Sequence, residues 1–184
     1  MIFIRPARAD DVQAITDITN QAILHTTALW LSTPVTEQAR GVWMHDRLSR
    51  GMPVFVAERD EQVVGFSSYG DFRPSEGYRF TVEHSLYVAP HAQGEGAGRL
   101  LLAAVIDHAT QHDKHVMVGC IGASNDASRR LHESAGFVQT GLMPQVGHKF
   151  GQWLDLLIMQ KMLGEPSTAP RSAPGVASLT ASGR

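Results

Sequence analysis

Three glycines at alternate positions, Gly94, Gly96 and Gly98, stand between a β-like run from Phe80 to Val88 and a helix-like run from Gly98 to His112. Glycine accepts positive φ and lets a ligand approach without a Cβ in the way. The first N–H groups of a helix have no intrahelical partner, and the helix dipole places partial positive charge there. Such a junction suits a phosphate or pyrophosphate, so a phosphorylated cofactor is expected. Glu83 lies on the strand that leads into it. Strand alternation places Glu83, Ser85 and Tyr87 on one face and His84, Leu86 and Val88 on the other. A half-buried carboxylate there can take a proton directly or through water. Two other groups point to less. His108 and His112 have the four-residue spacing of a helical metal pair, but no Glu-x-x-His context accompanies them, and no metal is expected. Cys120, within the apolar run Val116–Ile121, reads as a buried strand residue and not a nucleophile.

The spacing narrows the cofactor. A dinucleotide fingerprint needs Gly-x-Gly-x-x-Gly, whereas here the third glycine follows after one residue. A P-loop needs Gly-Lys-Ser/Thr, whereas Gly98 is followed by Arg99-Leu100. The stretch Gln93-Gly94-Glu95-Gly96-Ala97-Gly98, with Pro90 upstream, resembles the acetyl-coenzyme A loop of the GNAT N-acetyltransferases, Gln/Arg-x-x-Gly-x-Gly/Ala.

The elements that must hold these residues follow from periodicity. Ile2–Arg5 is a first strand. Asp10 is a helix cap, followed by Val12, Ile15, Ile18 and Ala22 at helical spacing. His25–Trp30 is a connection, and a second helix runs from near Thr36 to Arg50, stopped by Gly51. Val54–Glu58 and Val63–Tyr69 form a hairpin about Arg59–Gln62. Arg73–Gly77 is a loop by its Pro and Gly. Phe80–Val88, the third helix, Val116–Ile121, a fourth helix capped by Asn125 or Asp126, Phe137–Thr140 and Trp153–Met159 complete the order β-α-α-β-β-β-α-β-α-β-β. That order predicts an α/β (α+β) domain, a mixed, mostly antiparallel sheet with helices on both faces.

With 184 residues, 43 % hydrophobic and 18 % charged, the chain reads as one globular, soluble domain. A net charge of −2 suggests neither a nucleic-acid nor a membrane partner. A single cysteine suits a reducing compartment, and Met1–Pro6 is too short an apolar run for a signal peptide, so a cytoplasmic location is expected. From residue 164 to 184, Pro, Ser, Ala, Thr and Gly dominate. This tail is read as disordered, and the domain as residues 1–163.

A second block supports the resemblance: Asn125-Asp126-Ala127-Ser128-Arg129-Arg130-Leu131-His132-Glu133-Ser134-Ala135-Gly136-Phe137. The family there has an Asn, a Leu-Tyr pair and a closing Gly-Phe, and His132 replaces the Tyr. Three further stretches, Tyr69–Pro74, Thr81–Ser85 and Met143–Asp155, resemble the phosphinothricin and methionine sulfone/sulfoximine acetyltransferases. The resemblance implies acetyl transfer from acetyl-CoA to the amine of a small amino-acid-like substrate by direct attack, in a homodimer. It implies Glu83 as the base. His132 stands where a proton donor to the leaving thiolate is often found, or where a helix residue merely touches the cofactor. Gln93, Gly94, Glu95, Gly96, Ala97, Gly98 and Arg99 would hold the cofactor. Leu86, Tyr87, Val88, Asn125 and Ser128 would complete its contacts, Asn125 as ligand, helix cap or both. On the substrate side stand Phe72, Arg73, Pro74 and Arg79, together with Trp30, His84, Ser85 and Glu83. Arg73 and Arg79 would read a carboxylate through their two-pronged donors, while Phe72, Trp30 and Tyr69 would wall the pocket. Two other readings share the loop: acetylation of a protein N-terminus or lysine, and an acyl-CoA sensor without turnover. A sensor has no need of Glu83.

Overall fold

The computed structural model describes residues 1–164; the tail expectation otherwise lies outside the described residues. Asp11, rather than Asp10, organises the start of the first helix. Its carboxylate accepts the Arg8 N–H (2.6 Å) and grips the Arg5 guanidinium at 2.7 and 2.8 Å. This ties β1 (Ile2–Pro6) to α1 (Val12–His25). Thr36 caps α2 (Glu37–Ser49), its hydroxyl accepting the Ala39 N–H at 3.1 Å. β2 (Val54–Arg59) and β3 (Gln62–Asp71) form the expected hairpin. A one-turn helix at Glu76–Tyr78 fills the loop before β4 (Thr81–Val88), which starts one residue later than expected. α3 (Ala97–Gln111), β5 (Val116–Gly122), α4 (Asp126–Ser134), β6 (Val138–Lys149) and β7 (Gln152–Met162) follow.

β6 is far longer than the expected Phe137–Thr140. Its register slips twice against β7, between Gln139 and Gly141 and between Met143 and Gly147, and Gln145 takes φ +52°. Bulges erase the period of two on which a strand is recognised. The seven strands lie in the order β1-β2-β3-β4-β5-β7-β6. Every neighbouring pair is antiparallel except β4 and β5. Helices cover both faces. Ile15, Ile18 and Met44 pack on Val54, Val56 and Phe66, while on the other face Leu101 packs with Ala57 and Val64, and Leu102 and Val105 with Met117. Complete burial of a leucine such as Leu101 or Leu102 stabilises the fold by about 1.5–3 kcal/mol. Among the described residues, no helix is long and apolar enough to cross a membrane.

The feature that makes a site is the seam between β4 and β5. They pair only from Thr81–Glu83 against Val116–Val118 and then part, β5 continuing against β7 alone. From His84 onward, the β4 backbone groups that face β5 have no strand partner, and a cleft opens beside them.

Candidate active site

Two joined cavities fill the parted seam. The inner one, about 260 Å³, is lined by Glu83, His84, Ser85, Cys120 and His132, with Trp30 on its rim. The outer one, about 420 Å³, runs along Leu86–Val88 to the glycine junction, where Gln93, Gly94, Gly96, Gly98 and Arg99 line it. Ala28, Leu86, Tyr87, Asn125 and Ser128 border both.

The junction has the geometry expected of an anion cradle. Gly96 caps α3 with φ +91°, and no side chain caps that terminus. The first helical bond there is Leu100 N–H to Gly96 O, 3.2 Å, so the amides just before it remain available. A Cβ on Gly96 would have no protein atom within 4 Å, so the space in front of it is open. Two expected contacts turn away. Ala97 is buried in the core behind the loop, and the Glu95 carboxylate is held by Arg59. Asn125 both borders the cleft and caps α4, its Oδ1 accepting the Ser128 N–H at 3.0 Å. A pyrophosphate at the junction and an extended amide chain along the open edge of β4 fit what the residues offer.

Glu83 is half-buried in the inner cavity and forms no ion pair among the described residues. It shares its face with Ser85 and Tyr87, as alternation requires. The Tyr87 phenol is pushed up to about 12 by burial, with the nearby Arg40 pulling it down and Glu83 raising it. Cys120 corrects the sequence reading, since it is exposed to the cavity rather than buried. Desolvation by the cavity walls, and then the Glu83 carboxylate beside it, push its thiol up to about 11. A thiol so placed stays protonated near neutral pH.

His132 is buried and fully engaged. Its Nδ1 donates to the Ser128 carbonyl (2.7 Å), and because a carbonyl only accepts, the proton is assigned to Nδ1. Its Nε2 is then an acceptor, and it receives the Nε2–H of His84 at 2.9 Å. The two rings stack at 5.0 Å, edge-on to Phe137. His84 Nδ1 remains buried without a partner. Burial holds both rings neutral, with His84 pulled down to about 3 by desolvation and by His132. In this arrangement, His132 does not present a free N–H to the cavity, and its one proton sits on Nδ1, so donation to a thiolate requires the bond to the Ser128 carbonyl to open.

The substrate-side expectations divide. Trp30, Glu83, His84 and Ser85 line the inner cavity. Phe72 instead packs on Tyr78 at 5.7 Å, and Arg73 lies over the Phe72 ring at 4.8 Å, both outside the cavity lining. Pro74 and Arg79 are exposed and also outside it, Arg79 lying over Phe80 at 4.5 Å. Of these, only the Arg73 charge reaches inward, where it lowers the Cys120 thiol slightly. Tyr69 is no pocket wall. It is 2 % exposed, and its hydroxyl meets His108 Nδ1 at 2.7 Å. His108 also stacks on His112 at 3.9 Å. Among the described residues, no cluster of three or more His, Cys, Asp or Glu side chains is arranged to hold a metal ion. Sequence reasoning missed Ala28, Leu29, Ile121, Gly122 and Leu156, all apolar or small residues on the cavity wall. Nothing in their types separates them from core.

Comparison with known proteins agrees with this geometry. The acetyltransferase (GNAT) family model matches residues 18–137. An L-methionine sulfoximine/L-methionine sulfone acetyltransferase of Salmonella typhimurium is 51 % identical over 88 % of this chain and 95 % of its own. A phosphinothricin N-acetyltransferase of Alcaligenes faecalis is 37 % identical over 90 % of this chain and 84 % of its own. The structure of the Salmonella typhimurium protein yncA, with its cofactor acetyl-CoA, superposes with TM-score 0.91 at 48 % identity, covering 94 % of this chain and 99 % of that one. With sequence, fold and cleft in accord over nearly the whole described chain, the protein belongs to the GNAT acetyltransferase family.

Proposed function

We propose that the chain transfers an acetyl group from acetyl-CoA to the α-amine of a small amino-acid-like acceptor of the methionine sulfone, methionine sulfoximine or phosphinothricin type. The observation that carries this is Glu83: a carboxylate without an ion pair among the described residues, in a small cavity that shares its wall with the cavity running to the glycine junction. When bound, acetyl-CoA supplies an activated thioester. The chain's own residues do the rest. The junction amides and Arg99 meet phosphates, and the open edge of β4 meets the extended linker. Glu83 takes a proton from the acceptor ammonium, directly or through water, because only the neutral amine attacks. The His84–His132 pair walls the cavity, and the His132 Nδ1 proton can reach the departing sulfur only if its bond to the Ser128 carbonyl opens. The acceptor's carboxylate is assigned to Arg73, which lies over the Phe72 ring just outside the cavity lining. The names of the similar proteins support this acceptor class.

The cavity size favours a free amino acid over a protein terminus or lysine. An amino acid with a sulfone, sulfoximine or phosphinate group fits about 260 Å³, while a peptide needs an open groove. We also place the protein as a homodimer in the cytoplasm. The edge strand β6 and its hairpin expose Leu142, Val146, Phe150 and Trp153, more apolar surface than a lone edge usually leaves to water.

A thiol-release assay tests the reading. Methionine sulfone should be acetylated, and Glu83→Gln should lower kcat by about 10²–10⁴-fold with acetyl-CoA affinity little changed. The acidic limb of the pH–rate profile should go with it. Near-normal turnover in Glu83→Gln would remove Glu83 as base. In the same assay, the decarboxylated amine should lose at least about ten-fold in kcat/KM; equal turnover would free Arg73 of its role.

A further inference from the structure

Lys149, at the end of β6, is only 4 % exposed, and its ammonium has no carboxylate partner among the described residues. A buried cation is costly unless its donors are satisfied. Here Nζ donates to two backbone carbonyls, Thr26 O at 2.7 Å and Leu29 O at 2.6 Å. Those carbonyls flank Ala28, which borders both cavities, and Leu29 immediately precedes Trp30, which lines the inner cavity. The same hairpin receives the Trp30 ring from the other side. A Cβ on Gly147 would lie 2.3 Å from Trp30 Cε3 and Cζ3, so the indole packs where only glycine leaves room. Trp30 Nε1 closes the segment on itself by donating to Thr27 O at 2.9 Å. Residues 26–36 form no helix or strand; the segment is also tied near its two ends, by Thr26 Oγ1 donating to Ala22 O at 2.8 Å and by the Asn20 amide to Val35 at 2.8 and 3.0 Å, but neither tie bonds Trp30 itself.

We propose that Lys149 and Gly147 form a latch that sets Trp30 against the acceptor side of the inner cavity, so that the β6–β7 hairpin determines which acceptor side chains fit. The two carbonyls turned inward toward Lys149 are the reason a cation is kept in a buried position. A methionine there would match the volume and leave both carbonyls unpaired. Lys149 and Gly147 are positioning residues, since each acts through the 26–30 segment and neither touches the acceptor. The inference rests on the cavity being the acceptor site, as proposed above.

The test uses the full chain with Trp43→Phe and Trp153→Phe, so that indole emission reports Trp30 alone. Lys149→Met and Gly147→Ala should each raise the KM for methionine sulfone at least about ten-fold, keep the acetyl-CoA Kd within about two-fold, and shift Trp30 emission to longer wavelength. Lys149→Arg, which keeps donors for both carbonyls, should stay near the parent in all three. A folded Lys149→Met or Gly147→Ala protein with parental KM and emission overturns the latch, as does a raised KM with unmoved emission. If neither variant folds, Lys149 and Gly147 are staples of the fold and the proposal falls. If the parent itself does not acetylate methionine sulfone, the acceptor reading fails separately, and emission and acetyl-CoA affinity still decide whether the latch exists.

Discussion

At the scale of single residues, the His84–His132 pair ties stability to pH in a definite direction. Both rings are neutral in the folded protein, and His84 is held near 3 against an ordinary 6.5. A depressed histidine binds fewer protons folded than unfolded once the pH drops below about 6.5. It costs nothing above that value and destabilises progressively below it, by about 1.4 kcal/mol per pH unit per ring at the steepest. His84→Gln retains an N–H for His132 Nε2 and removes one of the two titrations. Urea unfolding at pH 7 and pH 5 should show the variant losing about 2 kcal/mol less than the parent between them. Equal losses would mean that His84 is protonated without opening the pair. Of this arrangement the sequence revealed His132, through its place in the Asn125–Phe137 block, and the position of His84 on its strand. Their contact was not legible. It joins residues 48 apart across the seam and depends on Gly119, where a Cβ would lie 3.0 Å from His84 Nε2.

Elements carried more of their identity in the sequence than single contacts did. The glycine junction, the helix start near Thr36, the cap at Asn125 or Asp126 and the β4 alternation were legible because each follows a local rule: a backbone conformation, a side-chain acceptor, a period of two. β6 was not, because its bulges break that period. Cys120 was misread because β5 is apolar throughout, so no alternation marks which side chain faces the cavity. Gly96 gives the junction its sharpest test. At φ +91° a branched side chain is strained, and the space it would enter is open only for a ligand. Gly96→Val should lower the thermal midpoint by a few degrees through that strain and, in protein still folded at the assay temperature, weaken coenzyme A binding by at least about ten-fold in calorimetry. Unchanged affinity would remove the phosphate from the start of α3.

The whole molecule joins two surfaces of one hairpin. Inward, β6–β7 holds Lys149 and Gly147 against the Trp30 segment. Outward, it exposes Phe150 at 59 % and Trp153 at 64 %, with Leu142 and Val146 also exposed on β6, one of the two edge strands of the sheet. A long apolar edge invites pairing with another chain. A second copy of the same protein is the partner that a symmetric, self-complementary contact favours. A stable interface of this kind covers about 800 Å² on each partner, and buried aromatic anchors dominate its energy. Trp153→Glu places a charge on that surface while changing neither Lys149 nor Gly147. Sedimentation should find the parent dimeric and the variant monomeric at the same concentration. Because the hairpin also positions Trp30, the monomer should show a higher KM for the acceptor, with acetyl-CoA affinity unchanged, since the glycine junction lies on the other side of the seam. A parent that sediments as a monomer would end the dimer proposal. A monomeric variant with the parental KM would uncouple the outer face of the hairpin from the acceptor site.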